Sequence, residues 1–133
     1  MSYSNNPTSI LAGTGISISP TSGTGANTIT ISATGVQTLA VRVAVATPVA
    51  VVNTDDVISV EVPGPVAVAV NLPAGVTGRV FNIKDGLGLA AVATPITINP
   101  NGAETIDGAA SATIDAAYGS LSLVYSGVEW LIL

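Results

Sequence analysis

A period of two dominates this chain. Leu39, Val41, Val43 and Val45 alternate with Ala40, Arg42, Ala44 and Ala46, and Val66, Val68 and Val70 alternate with Ala67 and Ala69. Successive side chains of a β-strand point to opposite faces, whereas the apolar positions of a helix recur every three or four residues, so this pattern specifies strands. Runs of the same kind are expected at 36–46, 48–53, 57–62, 66–72, 79–83, 96–99, 112–114, 121–125 and 128–133. Turn chemistry separates them: Thr54-Asp55-Asp56, Pro63-Gly64-Pro65, Pro73-Ala74-Gly75, Lys84-Asp85-Gly86, Pro100-Asn101-Gly102 and Asp107-Gly108. Tyr125 and Val128 flank Ser126-Gly127, which fits a tight hairpin. Short runs at such spacing, with no helical period between them, predict an all-β sandwich or barrel-like module of about 8–10 short antiparallel strands.

The second face of these strands is unusual. A one-sided sheet normally carries Lys, Glu, Thr or Gln toward water, yet here that face is mostly Ala. Charged residues make up 8% of the chain while 48% is hydrophobic, against roughly 25% charged in an average soluble protein. Either the Ala positions are small residues tolerated in solvent, or they approach another layer closely. The second reading is favoured, because several strands with an exposed apolar face invite aggregation. A homo-oligomer is therefore expected.

Composition excludes much else. Arg42, Arg79 and Lys84 stand against eight acids, a net charge of -5, so no basic patch can neutralise a run of phosphates and nucleic-acid binding is not expected. With no Cys and no His, disulfides, thiolate zinc sites and His-dependent catalysis are absent. Abundant Val and Ile and a mean hydropathy of +0.65 argue against a disordered chain. The uncharged stretch from Glu61 to Arg79 contains Pro63, Pro65 and Pro73 and cannot be an apolar membrane helix. The opening MSYSNNPTS lacks the basic and apolar regions of a signal peptide.

Only carboxylates remain for acid/base chemistry. Thr105-Ile106-Asp107 and Thr113-Ile114-Asp115 form a near-repeat that could present two carboxylates for glycoside hydrolysis. The simpler reading is preferred: Asp107 precedes Gly108 in a turn, and Asp115 ends a strand. Asp55-Asp56 lacks the spacing of a calcium loop. Ala12-Gly13-Thr14-Gly15 is followed by no Gly-Lys-Ser/Thr, so it reads as a backbone turn and not a phosphate loop. Phe81, Tyr125 and Trp130 fall in strand patterns and are expected in the core. Lys84 and Asp85 should point to opposite sides and find separate partners. No catalytic residue, cofactor or metal is assigned.

Residues 1–35 carry no charge and are rich in Ser, Thr, Gly and Asn. Ile16-Ser17-Ile18-Ser19 and Thr28-Ile29-Thr30-Ile31-Ser32, separated by Pro20-Thr21-Ser22-Gly23, suggest a β-hairpin arm. A lone hairpin buries too little to offset the ordering of its backbone, so the arm is expected to be held by something else. The division is an arm at 1–35 and a β-rich module at 36–133.

Particular segments also resemble a known class. Leu11-Ala12-Gly13-Thr14-Gly15-Ile16-Ser17-Ile18 followed by Thr28-Ile29-Thr30-Ile31-Ser32 is similar to entry segments of tailed-bacteriophage fibre proteins. Asn71-Leu72-Pro73-Ala74, Val80 to Asp85, Ile96-Thr97-Ile98, Ile106-Asp107-Gly108-Ala109 and Leu123 to Trp130, in that order, resemble a β-module of phage fibre and head-fibre proteins. The resemblance implies a non-enzymatic virion structural protein, intertwined as a homotrimer with apolar faces at a threefold axis. A tail fibre must reach from baseplate to host, so one module plus an arm points to the capsid surface: a decoration, cement or head-fibre protein assembled in the host cytoplasm. Its partners would be itself and the major capsid protein or another virion protein, without nucleic acid, membrane or cofactor. Val43, Val45, Val68, Val70, Leu131, Ile132 and Leu133 are the expected trimer contacts, and Ile10, Leu11, Ile16 and Ile18 the shell anchors. The alternative is a tail-fibre tip that binds a host receptor or glycan.

Overall fold

The computed structural model describes residues 16–20, 29–33 and 38–133. The chain divides into two units, Met1–Thr38 and Leu39–Leu133. In the first, β1 (Ile16–Pro20) pairs antiparallel with β2 (Ile29–Ala33), with Ile18 opposite Ile31.

The second unit is all β among the described residues. Its strands are β3 (Val41–Ala44), β4 (Val49–Ala50), β5 (Val57–Val60), β6 (Val68–Asn71), β7 (Val80–Asp85), β8 (Ile96–Asn99), β9 (Ala112–Ile114), β10 (Ser120–Tyr125) and β11 (Trp130–Ile132). They form two open sheets, one in the order β11-β10-β7-β5-β3 and the other β4-β6-β8-β9. No barrel closes among these residues.

The expected antiparallel arrangement is corrected. From β3 to β8 the chain alternates between the sheets, so each strand lies beside the one two elements earlier and runs in the same direction. β3 with β5, β5 with β7, β4 with β6 and β6 with β8 are parallel. Only afterwards does the chain fold back: β9 runs antiparallel to β8, β10 to β7 and β11 to β10. A Gly/Pro/Asp turn looks the same in sequence whether it closes a hairpin within one sheet or turns a corner onto the other. That ambiguity is why sequence periodicity specifies strands and not their direction.

The core lies between the two sheets. Ile58, Val60, Phe81, Ile83, Leu123 and Trp130 face inward from the five-stranded sheet, and Val49, Val68, Val70, Ile96, Ile98 and Ile114 from the other, all in one buried cluster. Register builds it in rows: Val49, Val70 and Ile98 lie side by side, as do Ile58 and Ile83. Trp130 packs in tilted contacts against Phe81 and Tyr125, with ring centres 5.4 and 5.2 Å away. Its indole N–H donates to Glu104 Oε2 at 3.0 Å, and Glu104 Oε1 accepts the Gly75 N–H at 2.9 Å. The polar edge of the largest core side chain is thereby satisfied, as a buried indole requires.

Candidate functional site

The outward faces of the two sheets differ. The four-stranded sheet turns small polar groups to water: Asn99 Nδ2 donates to Asn71 Oδ1 at 3.1 Å, and Thr97 lies between Ala69 and Thr113. The five-stranded sheet is polar only along its middle, where Ser122 donates to Asn82 Oδ1 at 2.6 Å and Lys84 lies beside Ser59. Its two margins are apolar. One holds Leu39, Val41, Val43 and Val45, exposed by 64, 65, 52 and 65%. The other holds Val124 paired with Leu131, followed by Ile132 and Leu133.

These facts sort the expected trimer contacts. Val43 and Val45 are on the surface at β3, and Leu131, Ile132 and Leu133 are exposed at β11. Val68 and Val70 are not available: at 5% and 0% exposure they belong to the core of the single chain, and the expectation for them is corrected. Period two distinguishes one face of a strand from the other, but it does not say which face meets the opposite sheet of the same chain. On β6 the Val side faces inward, whereas on β3 Ala44 is buried and the Val side is exposed. Nor do the remaining residues form one patch, since β3 and β11 are opposite edges of the same sheet. Of the expected shell anchors, Ile16 and Ile18 lie in β1 opposite Ala33 and Ile31, and Ile10 and Leu11 lie outside the described residues.

The four sheet edges are also unequal. The outer edge of β11 is occupied by a crossing segment: the Trp130 N–H donates to Thr105 O and the Asp107 N–H to Trp130 O, both at 2.9 Å. β4 spans two residues behind Pro48, and β9 spans three. Short strands and proline are the usual means of blunting an edge. β3 has neither device. Ala40, just before β3, and Ala44 bond toward β5, accepting from Asp56, Val57 and Glu61, which leaves the backbone groups of Val41 and Val43 on an edge with no partner strand among the described residues.

The charge that β3 carries, Arg42, lies on the same face as the buried Ala44, and the cations are engaged within the chain. Arg42 forms a fork on Asp55, with Nη2 2.8 Å from Oδ2, and also donates to Ala50 O. Arg79 Nη1 is 2.9 Å from Asp56 Oδ1, and its guanidinium lies 4.8 Å from the Phe81 ring centre. The Ala40 backbone N–H and then Arg79 hold the Asp56 carboxyl below its ordinary value. Lys84 donates to the Tyr118 carbonyl.

Asp107 and Glu129 organise loops. Asp107 Oδ1 accepts from Ile132, and Glu129 Oε2 takes the Gly108 N–H at 2.7 Å and the Thr105 hydroxyl at 3.0 Å. Asp115 follows β9 at the surface. Asp85 is the acid whose role the sequence concealed. It is buried and accepts backbone N–H groups from Gly88, Ala90 and Tyr118, each at 3.0 Å. Burial pushes its carboxyl upward, but the donors at Ala90, Tyr118, Leu89 and Gly88 outweigh this and hold it below the ordinary value of 3.8. The alternation of β7 was the available signal, since it turns Asp85 to the same side as Phe81 and Ile83.

Among the described residues no group of three His, Cys, Asp or Glu side chains is placed to hold a metal ion. A recess between Val60, Val66, Asp85, Leu89 and Ile96 has room for about one water molecule. No helix of the described residues is long and apolar enough to cross a membrane. In comparisons with known proteins, no family model and no curated sequence matches this chain.

Proposed function

We propose that this chain is a non-enzymatic structural protein of a phage virion, a decoration, cement or head-fibre protein on the capsid surface. In this reading the module joins copies of itself into a trimer and the arm at 1–35 binds the shell. The observation that carries it is the row Leu39, Val41, Val43 and Val45 on an edge strand that, among the described residues, lacks proline, lysine or a covering segment. Such an edge is a liability for a monomer and an asset for an assembling protein. The order of the fibre-like segments along the chain supplies the virion context.

Two apolar margins on opposite edges of one sheet suit a cyclic trimer. In a ring each copy presents two different surfaces to its neighbours, unlike a twofold dimer, which uses one patch twice. The β3 margin of one copy would meet the β11 margin of the next. Val43 and Val45 then belong to one half of the contact, and Leu131, Ile132 and Leu133 to the other.

Sedimentation of the full chain tests the assembly, and electron microscopy of intact particles tests its place. A trimer in solution and density for the module on the capsid surface are expected. A stable folded monomer at micromolar concentration overturns the trimer, and density at the tail tip alone overturns the capsid assignment in favour of receptor binding. Removing 1–35 should abolish shell binding and leave the trimer intact.

A further inference from the structure

The sequence contains three steps in which Asn or Asp precedes Gly: Asp85-Gly86, Asn101-Gly102 and Asp107-Gly108. All share one latent reaction, in which the glycine backbone nitrogen attacks the preceding side-chain carbonyl carbon to form a five-membered imide. Glycine permits it because no Cβ crowds the nitrogen. The reaction needs a free N–H and a side chain able to swing over it.

The fold withholds both from the two acid steps. The Gly86 N–H donates to Val60 O at 2.9 Å, and the Asp85 carboxylate is fixed by its three backbone donors. The Gly108 N–H donates to Glu129 Oε2 at 2.7 Å, and Asp107 Oδ1 is engaged by Ile132. Both carboxylates are also poor electrophiles when ionised.

The amide step is left open. Asn101 and Gly102 are exposed, and neither the Gly102 N–H nor the Asn101 side chain takes part in a hydrogen bond among the described residues. Gly102 has a φ of +58°, and a Cβ built there meets nothing within 4 Å, so the turn has space to deform. It is held from Asn101 O to the Glu104 N–H at 3.0 Å.

We infer that Asn101 is a site of spontaneous deamidation, the position at which this protein modifies itself as it ages. Loss of the Gly102 N–H proton to solvent base lets that nitrogen bond to Asn101 Cγ, and the side-chain nitrogen leaves as ammonia. Water then adds to one of the two imide carbonyls and the ring C–N bond opens, giving aspartate or isoaspartate. The balance is one water consumed and one ammonia released, with no change of oxidation state. The product adds a negative charge to a chain already at -5. The iso form also routes the main chain through the former side chain, three residues before Glu104, which holds Trp130 and Gly75.

Incubation of the full-length folded protein at mildly alkaline pH, followed by peptide mapping and enzymatic isoaspartate detection, tests the assignment. Conversion at 101 is expected in the folded protein within a few-fold of its rate in the chain unfolded in denaturant. At 85 and 107 the folded rates should fall roughly tenfold or more below the unfolded ones, because those sites react only when they open. Asn101→Gln, whose attack would form a less favoured six-membered ring, should remove the signal from folded protein. Retention of the Asn101 amide in folded protein while the unfolded chain converts it overturns the inference, as does isoaspartate at 85 or 107 before 101.

Discussion

The carboxylate of Asp85 accepts the backbone N–H of Tyr118 at 3.0 Å, while the neighbouring Lys84 donates to the Tyr118 carbonyl. Two consecutive residues on opposite faces of β7 thus grip one distant residue, one at its N–H and the other at its C=O. Tyr118 is held in a left-handed conformation with φ 58°, which costs a non-glycine residue on the order of 1 kcal/mol, and the two bonds keep it there. The turn before β10 is thereby fixed to the centre of the five-stranded sheet.

Asp85→Ala should therefore act far beyond its volume. It leaves the buried Ala90 N–H and the half-buried Gly88 and Tyr118 N–H groups without their acceptor, and an orphaned buried donor costs about 1–3 kcal/mol, less where water can reach it. A loss of about 2–3 kcal/mol is expected in denaturant unfolding. Asp85→Asn keeps one accepting oxygen but turns an NH2 toward a donor, and should fall between the two.

The same group gives the protein an acid limit. Its carboxyl is held below 3.8 in the folded state, so the unfolded chain binds the proton more readily. Its stabilisation is complete well above 3.8 and is lost as pH falls through the lower folded value. Unfolding free energy should decline below about pH 4. The decline should flatten in Asp85→Ala, and an unchanged acid slope in that variant would assign the limit to other acids.

Core and surface valines give opposite phenotypes. Val70 is wholly buried between Val49 and Ile98, and Val70→Ala should cost roughly 2 kcal/mol through the cavity it leaves, without changing the association state once folded. Val43→Lys places a charge on a residue that is 52% exposed. It should leave the unfolding of the single chain within about 0.5 kcal/mol and weaken self-association, read by sedimentation over a dilution series.

Gly75 packs against the face of Tyr125, where an added Cβ would overlap the ring. Gly75→Ala should force Tyr125 off Trp130 and disturb the Gly75 N–H bond to Glu104, so a change in tryptophan fluorescence with a loss of about 1–3 kcal/mol is expected. Gly64→Ala is the control for backbone effects, since a Cβ there meets nothing within 4 Å although φ is +87°. It should lower stability modestly and leave the tryptophan signal unchanged.

Strand positions were legible because period two is a local property: Val57–Val60, Val68–Asn71 and Ile96–Asn99 fall inside the expected runs. The aromatic core was legible for the same reason, with Phe81 and Trp130 fully buried. Strand direction was not, because it depends on which sheet the chain enters after each turn. The inside face was not either, since Val and Ala alternate on both β3 and β6 while their burial is opposite. Asp85 was hidden by its Lys84-Asp85-Gly86 context, which reads as an exposed turn until the donors from Gly88, Ala90 and Tyr118 converge on it.

The two margins allow a test of the ring geometry itself. Val43→Asp blocks the β3 margin and leaves Leu131 intact, whereas Leu131→Asp blocks the β11 margin and leaves Val43 intact; both positions are exposed, so each variant should fold as a monomer. In a head-to-tail ring the two variants still share one unspoiled contact, the β11 margin of the first against the β3 margin of the second. Mixed in equal amounts they should form a heterodimer that goes no further, seen as a single two-chain species in sedimentation or native mass spectrometry. A contact that used the β3 margin twice would give a different pattern: Leu131→Asp would self-associate alone, and mixing would add nothing.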